Sequence, residues 1–263
     1  MNSYILITGA SGGLGKAFSL ECAERGWDLF LTDRDSNILE ELATGIKRLY
    51  NIRVIHKECD LTDDLSRNRL WSFIEDNELK FNFLINVAGL DYEGIFNEQS
   101  VGELDTIIRL NINATVVMTN RILKYRDYAR QFRIVNVSSL AAYYPMPVKA
   151  TYAASKRFIL DFSLAIGEEL KRDDVSVTVL CPGGMPSNEE VIESIKLQGF
   201  FGMLTTKNVG YVASRTIDHA LGGKKIYIPG SFNVLLQMLG KLVPAGLIAR
   251  FIAMRWEHAR ACS

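Results

Sequence analysis

Four apolar or aromatic residues, Tyr4-Ile5-Leu6-Ile7, run straight into Thr8-Gly9-Ala10-Ser11-Gly12-Gly13-Leu14-Gly15, and an amphipathic segment continues from Gly13 to Arg25. A β-type run, a glycine-rich turn and a helix in immediate succession leave few folds open. The helix must pack back on the face of its own strand, and the next parallel strand is reached by a right-handed crossover. The remaining chain repeats this alternation. Strand candidates are Tyr4–Thr8, Asp28–Thr32, Arg53–Lys57, Phe83–Asn86, Arg133–Ser138, Val175–Leu180 and Lys225–Ile228, with helical segments such as Ile38–Leu49 and Leu65–Glu75 between them. The runs are nearly continuous in apolar residues, as strands buried on both faces must be. The pattern predicts an α/β fold: a Rossmann-type, doubly wound parallel sheet of about seven strands with helices on both faces.

A chain of 263 residues, 48% of them hydrophobic, supplies the core such a sheet needs in one domain. Thirty basic residues balance thirty acidic ones, so no global field draws the protein to nucleic acid. Cys22, Cys59, Cys181 and Cys262 form neither a CxxC pair nor a metal-like cluster. A bound metal is therefore not expected, and the thiols read as small hydrophobes of a reduced, cytoplasmic protein. Only Met1, Asn2 and Ser3 precede the first apolar run, so no targeting peptide is expected, and no uncharged stretch approaches the ~20 residues of a membrane span.

The glycine turn has a chemical reading. Without a Cβ the backbone can approach a pyrophosphate closely, and the helix start offers unpaired N–H groups to its oxygens. Glycines also end strands for structural reasons alone. Here they lie between the first strand and the first helix, where a dinucleotide site requires them.

The spacing of that turn is TGxxxGxG. Cys59-Asp60-Leu61-Thr62 follows the third strand and Asn86-Val87-Ala88-Gly89 the fourth; Ser139 ends the fifth, Tyr152-Ala153-Ala154-Ser155-Lys156 opens a helix, and Pro182-Gly183 follows the sixth. In this order, over residues 4 to 230, the chain resembles the short-chain dehydrogenase/reductase family in its single-domain form. The resemblance implies a dinucleotide-binding catalytic domain over 1–230, with 231–263 an amphipathic C-terminal extension packed on it. It implies cofactor contacts from Gly9, Ser11, Gly12, Gly13, Leu14 and Gly15, from Asp60 and Leu61 at the adenine, and from Asn86, Ala88 and Gly89 along the groove. Pro182 and Gly183 would lie beside the nicotinamide, with Ser187 where a threonine often stands. The second asparagine of the family's NNAG motif is Val87 here.

Tyr152 and Lys156 share one helix face, a turn apart. A tyrosine of pKa about 10 is a poor base at neutral pH. The lysine ammonium and the charge of oxidised nicotinamide would favour its phenolate. The resemblance makes Tyr152 the proton donor or acceptor and Lys156 the holder of the nicotinamide ribose. Ser139, thirteen residues before the tyrosine, would bond the substrate oxygen, with Ser138 adjacent. Asn111 matches the asparagine of a water-borne proton relay, and Asn113 is its rival.

Asp33, at the end of the second strand, can accept both adenosine ribose hydroxyls and repel a 2′-phosphate. Arg34 could pair with that phosphate instead. With Gly12 where relatives using NADP often carry a basic residue, NAD(H) is favoured and NADP(H) stays open. The substrate side would be lined by Tyr92, Phe96, Tyr143, Tyr144, Pro145, Met146, Phe200, Phe201, Met203 and Leu204, suiting a lipophilic molecule. Ile228-Pro229-Gly230 and the tail after it resemble the branch with steroid- and fatty-acyl-type ketone reductases. The implied activity is hydride transfer between a nicotinamide cofactor and a secondary alcohol or ketone, such as a hydroxysteroid or 3-oxoacyl compound. The alternatives are a dinucleotide-binding regulator, in which the YxxxK motif or the serine is usually broken, and a membrane-surface scaffold acting through the tail.

A homodimer or homotetramer is expected through the YxxxK helix, where Ala153, Ala154 and Ala165 permit close approach. In the tail, Leu235, Met238, Leu239 and Leu242 have helical spacing, Pro244 interrupts, and Leu247, Ile248, Phe251 and Ile252 resume it. Lys241, Arg250, Arg255 and Arg260 face one acid, Glu257. Burial of this face on the body of its own or a neighbouring subunit is expected. Peripheral contact with a membrane is the second option, set lower because the charges are few and the helix is interrupted.

Overall fold

In the computed structural model, which describes residues 3–185 and 205–261, seven parallel strands form one sheet in the order β3-β2-β1-β4-β5-β6-β7. The strands are β1 (Tyr4–Thr8), β2 (Leu29–Asp33), β3 (Val54–Glu58), β4 (Phe81–Asn86), β5 (Phe132–Val137), β6 (Val175–Leu180) and β7 (Ile226–Tyr227). The expected fold class is the observed one. Every expected strand is present within two residues at each end.

The helices are α1 (Gly13–Glu24), α2 (Ser36–Leu49), α3 (Asp64–Asp76), α4 (Val101–Ile107), α5 (Thr115–Ile122), α6 (Ala150–Glu169), α7 (Val209–Leu221), α8 (Ser231–Leu242) and α9 (Ala245–Ala261). One face of the sheet is covered by α1, α2 and α7 through Phe18, Leu39, Ile46 and Val212. The other carries α3, α5 and α6 through Leu70, Trp71, Met118 and Ile166. Asp35 and Asp63 begin α2 and α3 by accepting from the next free backbone N–H groups, which is why these helices start where they do.

The strand order reverses between β1 and β4, and in open sheets of this kind the carboxyl ends of the strands at such a point are where ligands bind. Thr8 ties the two strand ends together: its hydroxyl accepts from the Val87 and Ala88 N–H groups at 3.2 and 3.4 Å. Cys22, Cys59 and Cys181 are buried free thiols, and Cys262 lies outside the described residues.

The tail departs from expectation. One side of α8 packs on the domain, but by Asn233 and Gln237, which are 1% and 8% exposed, together with Leu236. Leu235, Met238, Leu239 and Leu242 point outward, as do Leu247 and Phe251 of α9. The apolar face from Leu235 to Ile252 is thus not buried on the body of its own chain. The polar pair occupies the inner side because Asn233 is needed there: its amide donates to the Thr205 and Pro229 carbonyls at 3.0 and 2.7 Å.

Candidate active site

The glycine turn is shaped by contacts that only hydrogen atoms permit. Gly9 has φ +65°, and a Cβ on it would stand 2.7 Å from the Ala88 backbone. A Cβ on Gly15 would stand 2.0 Å from the Gly9 carbonyl oxygen. Gly12 is different, since a Cβ there would make only ordinary contact, at 3.5 Å. It precedes α1 as a cap with no side-chain acceptor, so the N–H groups of the first turn, including Gly13, Leu14 and Gly15, lack a protein side-chain partner at that cap. The Ser11 hydroxyl in the same turn is buried with no hydrogen-bond partner among the described residues. A cradle of free N–H donors, an orphaned hydroxyl and a backbone open to close approach suit a pyrophosphate.

At the next strand end the Asp33 carboxylate reaches back over this turn. It accepts from the Ser11 N–H at 2.9 Å and the Arg34 N–H at 2.7 Å. These bonds fix the carboxylate beside the glycine turn and leave each oxygen a further lone pair. The Arg34 side chain is exposed. Asp60 is also exposed, its Oδ1 accepting from the Thr62 N–H and hydroxyl at 2.8 and 2.7 Å, while Leu61 is buried behind it.

Asn86 behaves differently from its expected place along the groove. Its amide donates inward to Thr119 Oγ1 at 3.1 Å and Asn136 Oδ1 at 2.9 Å, and Asn136 donates in turn to Ser163 Oγ. This buried chain links β4, α5, β5 and α6, so the side chain is spent on holding the strands in place. Gly89 explains the rest of its motif. A Cβ there would lie 3.1 Å from both Asn111 Oδ1 and Lys156 Nζ, so the absent side chain makes room for both groups.

Asn111 lies in a π-helical turn, Ile108–Ala114, between α4 and α5. Such turns are rare and often mark functional sites. Its side chain accepts from the Leu90 N–H at 2.8 Å and donates to the Leu90 carbonyl at 2.9 Å and to Ser155 Oγ at 3.0 Å. It thereby clips the loop after β4 to α6. Asn113 is exposed, and geometry separates the two candidates in favour of Asn111.

The same separation applies to the serines. The Ser138 hydroxyl donates to the Lys156 carbonyl at 2.7 Å and is buried. Ser139 is half-buried, accepts from the Ala141 N–H and hydrogen-bonds the Tyr152 phenol. Lys156, 5% exposed, donates from Nζ to the Val137 carbonyl at 3.0 Å and sits 5.7 Å from the centre of the Tyr152 ring. The end of β5, the π-helical turn and α6 therefore deliver Ser139, Asn111, Tyr152 and Lys156 to one place beside Gly89.

Without the charge of a nicotinamide, the electrostatic balance favours the neutral phenol. Burial pushes the Tyr152 phenol up to about 12, and the charge of Asp91 adds to the rise, while the Ser139 hydrogen bond and Lys149 oppose it. Burial brings Lys156 down to about 8, with Asp91 acting against the fall. In the protein alone, desolvation outweighs the groups that favour phenolate.

A charged cluster unnoticed in the sequence borders the phenol. Lys149 Nζ pairs with Asp91 at 2.7 Å and Glu93 at 3.1 Å. The Gly94 N–H donates to the Val148 carbonyl at 2.9 Å, and Val148 has φ +62°, a strained setting for a β-branched residue. The loop after β4 is thus clasped to the start of α6. No motif announces it, because the acids and the lysine are more than fifty residues apart.

Past β6, Pro182 is buried and its carbonyl accepts from the Leu140 N–H at 2.7 Å. Gly183 is pressed between the Thr205 carbonyl and the Asn233 amide, where a Cβ would approach to 2.6 and 2.9 Å. Of the expected substrate contacts, Tyr143 is core: it is buried with its hydroxyl directed at Cys181 Sγ, 3.9 Å away. Tyr144 is half-buried beneath Gly240 of α8, its hydroxyl without a partner among the described residues. Tyr92 and Met146 are half-buried, and Phe96 and Pro145 are exposed. Ser187, Phe200, Phe201, Met203 and Leu204 lie outside the described residues.

The model of the short chain dehydrogenase family matches residues 3–192. Human 17-beta-hydroxysteroid dehydrogenase type 3 is 34% identical over 186 residues, 69% of this chain and 59% of that protein. The very-long-chain 3-oxoacyl-CoA reductase of Laccaria bicolor is 30% identical over 179 residues, 66% of this chain and 52% of that protein. The chain thus spans little more than half the length of these curated relatives. Among solved structures, a 7beta-hydroxysteroid dehydrogenase superposes with a TM-score of 0.85 at 21% identity, covering 95% of this chain and 96% of that one. A short-chain dehydrogenase from Sphingobium yanoikuyae in complex with NADPH gives 0.76 at 23% identity, covering 91% and 94%. At these identities the structures speak to the fold.

Proposed function

Because the chain belongs to the short-chain dehydrogenase family, we propose that it is an oxidoreductase moving a hydride between a nicotinamide dinucleotide and a lipophilic secondary alcohol or ketone. The observation that carries this reading is the meeting of Ser139, Tyr152, Lys156 and Asn111 beside Gly89, at the strand ends that also hold the glycine turn. The residues fit the cofactor: the turn and the Ser11 hydroxyl would hold the pyrophosphate, Asp33 the adenosine ribose and Lys156 the nicotinamide ribose. When bound, that group supplies or takes up the hydride.

The protein's own residues handle the proton and the geometry. A phenol held up to about 12 stays protonated at neutral pH, so Tyr152 stands ready to give its proton to a carbonyl oxygen that Ser139 orients. The opposite direction requires phenolate, and lowering the phenol then falls to the positive charge of the oxidised cofactor acting with Lys156. Below about pH 8 Lys156 is ammonium, a form that donates to ribose hydroxyls. Asn111 acts through structure, since its side chain is committed to Leu90 and Ser155 and its carbonyl accepts from the Thr115 hydroxyl at 2.9 Å. Asp33 favours NAD(H) over NADP(H).

The relatives named for hydroxysteroids and 3-oxoacyl-CoA support a lipophilic substrate. The intact serine, tyrosine and lysine favour an enzyme over a regulator. A homodimer or homotetramer is the proposed assembly: Ala154, Phe158 and Ala165 are exposed along α6, whereas Ala153 is buried in its own chain. Absorbance at the reduced-nicotinamide band with 17-ketosteroids and 3-oxoacyl thioesters, supplied with each reduced cofactor, tests the reading. Absence of turnover across that panel, with the dinucleotide bound, would favour the regulator.

A further inference from the structure

Helix α8 is assembled inside out. Soluble proteins turn polar residues to water and apolar residues inward, yet Asn233 and Gln237 are buried while Leu242 is 79% exposed. The outward row continues beyond Pro244 on α9, where Leu247 and Phe251 are each 59% exposed and Met254 lies in line with them. Monomeric soluble proteins rarely present large contiguous apolar patches unless something binds there. No helix among the described residues is long and apolar enough to cross a membrane, so any helix engaging a bilayer here must lie along it.

Charge selects the occupant. No aspartate or glutamate occurs between Asp218 and Glu257; Arg250 is exposed on α9, and Lys241 is exposed at the end of α8 with its Nζ 6.0 Å from the centre of the Tyr143 ring. A two-fold contact between copies of this face would bury its cations against a patch with no carboxylate to pair them. Anionic headgroups would pair them, while the leucine, methionine and phenylalanine side chains enter the acyl boundary. We propose that the outward face of α8 and α9 is a docking surface for a bilayer containing anionic lipid. Because Gly240 of α8 lies against Tyr144, docking would set the substrate side of the site next to the membrane, where lipophilic substrates concentrate; this last point alone rests on the proposed hydride transfer.

Flotation of the full chain with vesicles of phosphatidylcholine and phosphatidylserine, against phosphatidylcholine alone, tests the surface. Binding should be stronger to the mixed vesicles and weaken with salt. Lys241→Gln and Arg250→Gln should each reduce partitioning about five-fold. Leu242→Glu and Phe251→Glu, at exposed positions that leave the fold intact, should each reduce it about ten-fold or more. Tyr152→Phe should float like wild type, which separates this surface from the chemistry. Absence of binding to the mixed vesicles, or equal binding by the variants, overturns the proposal. So does a wild-type oligomer in sedimentation that Leu242→Glu dissociates without lipid, since the face would then join copies of the chain.

Discussion

Replacing Lys156 by Met should make the protein more stable at neutral pH while removing its activity. The side chain is 5% exposed, and its hydrogen bond in the protein alone runs to the Val137 carbonyl. Folding lowers its proton affinity from the ordinary 10.5 to about 8. At about 1.4 kcal/mol for each factor of ten, holding the ammonium at pH 7 costs the folded state about 3 kcal/mol. Methionine has similar length and no charge, and the orphaned carbonyl costs about 1 kcal/mol, so the net gain is about 2 kcal/mol. The sign with pH follows from linkage. The lowered lysine destabilises the folded state fully below about pH 8, and the penalty disappears as pH rises toward the unfolded value of 10.5. Urea unfolding of both proteins without cofactor, at equal concentration, should show the variant ahead at pH 7 and the gap shrinking by pH 10. A variant less stable than wild type at pH 7, or a gap independent of pH, would refute the reasoning.

Tyr152→Phe should keep dinucleotide binding, read by fluorescence titration, and lose about 10²–10⁴-fold in turnover; near-normal kcat would remove the tyrosine from the chemistry. Asp33→Ala should narrow or reverse the preference for NAD(H), and tighter binding of NADP(H) by wild type would refute the role given to its carboxylate. Lys149→Met should leave Asp91 uncompensated beside the phenol and shift the pH profile of alcohol oxidation to higher pH, with Lys149→Arg restoring it; an unmoved profile would make the clasp purely structural. Light scattering should show a dimer or tetramer that Phe158→Glu weakens, and a monomer at micromolar concentration would count against the α6 interface.

Much of the architecture could be read directly along the chain. Strand identity, strand order in sequence and the placement of each motif at a strand end depend on local periodicity and on glycine at one turn, and both are properties of neighbouring residues. For the same reason the set Ser139, Tyr152 and Lys156 was legible: a strand end and one helical turn specify it. What the chain could not disclose locally was where side chains point once distant segments meet. Asn86 turns inward because Asn136 and Thr119 await it, and Tyr143 joins the core beside Cys181. Asn111 prevails over Asn113 because the π-helical turn points it at Leu90 and Ser155. The phenol is raised in the protein alone because burial and Asp91, sixty-one residues away, dominate its surroundings. The periodicity of α8 predicted an apolar face correctly, but a period carries no inward direction. Only packing of Asn233 against Thr205 and Pro229 decided that this face looks out.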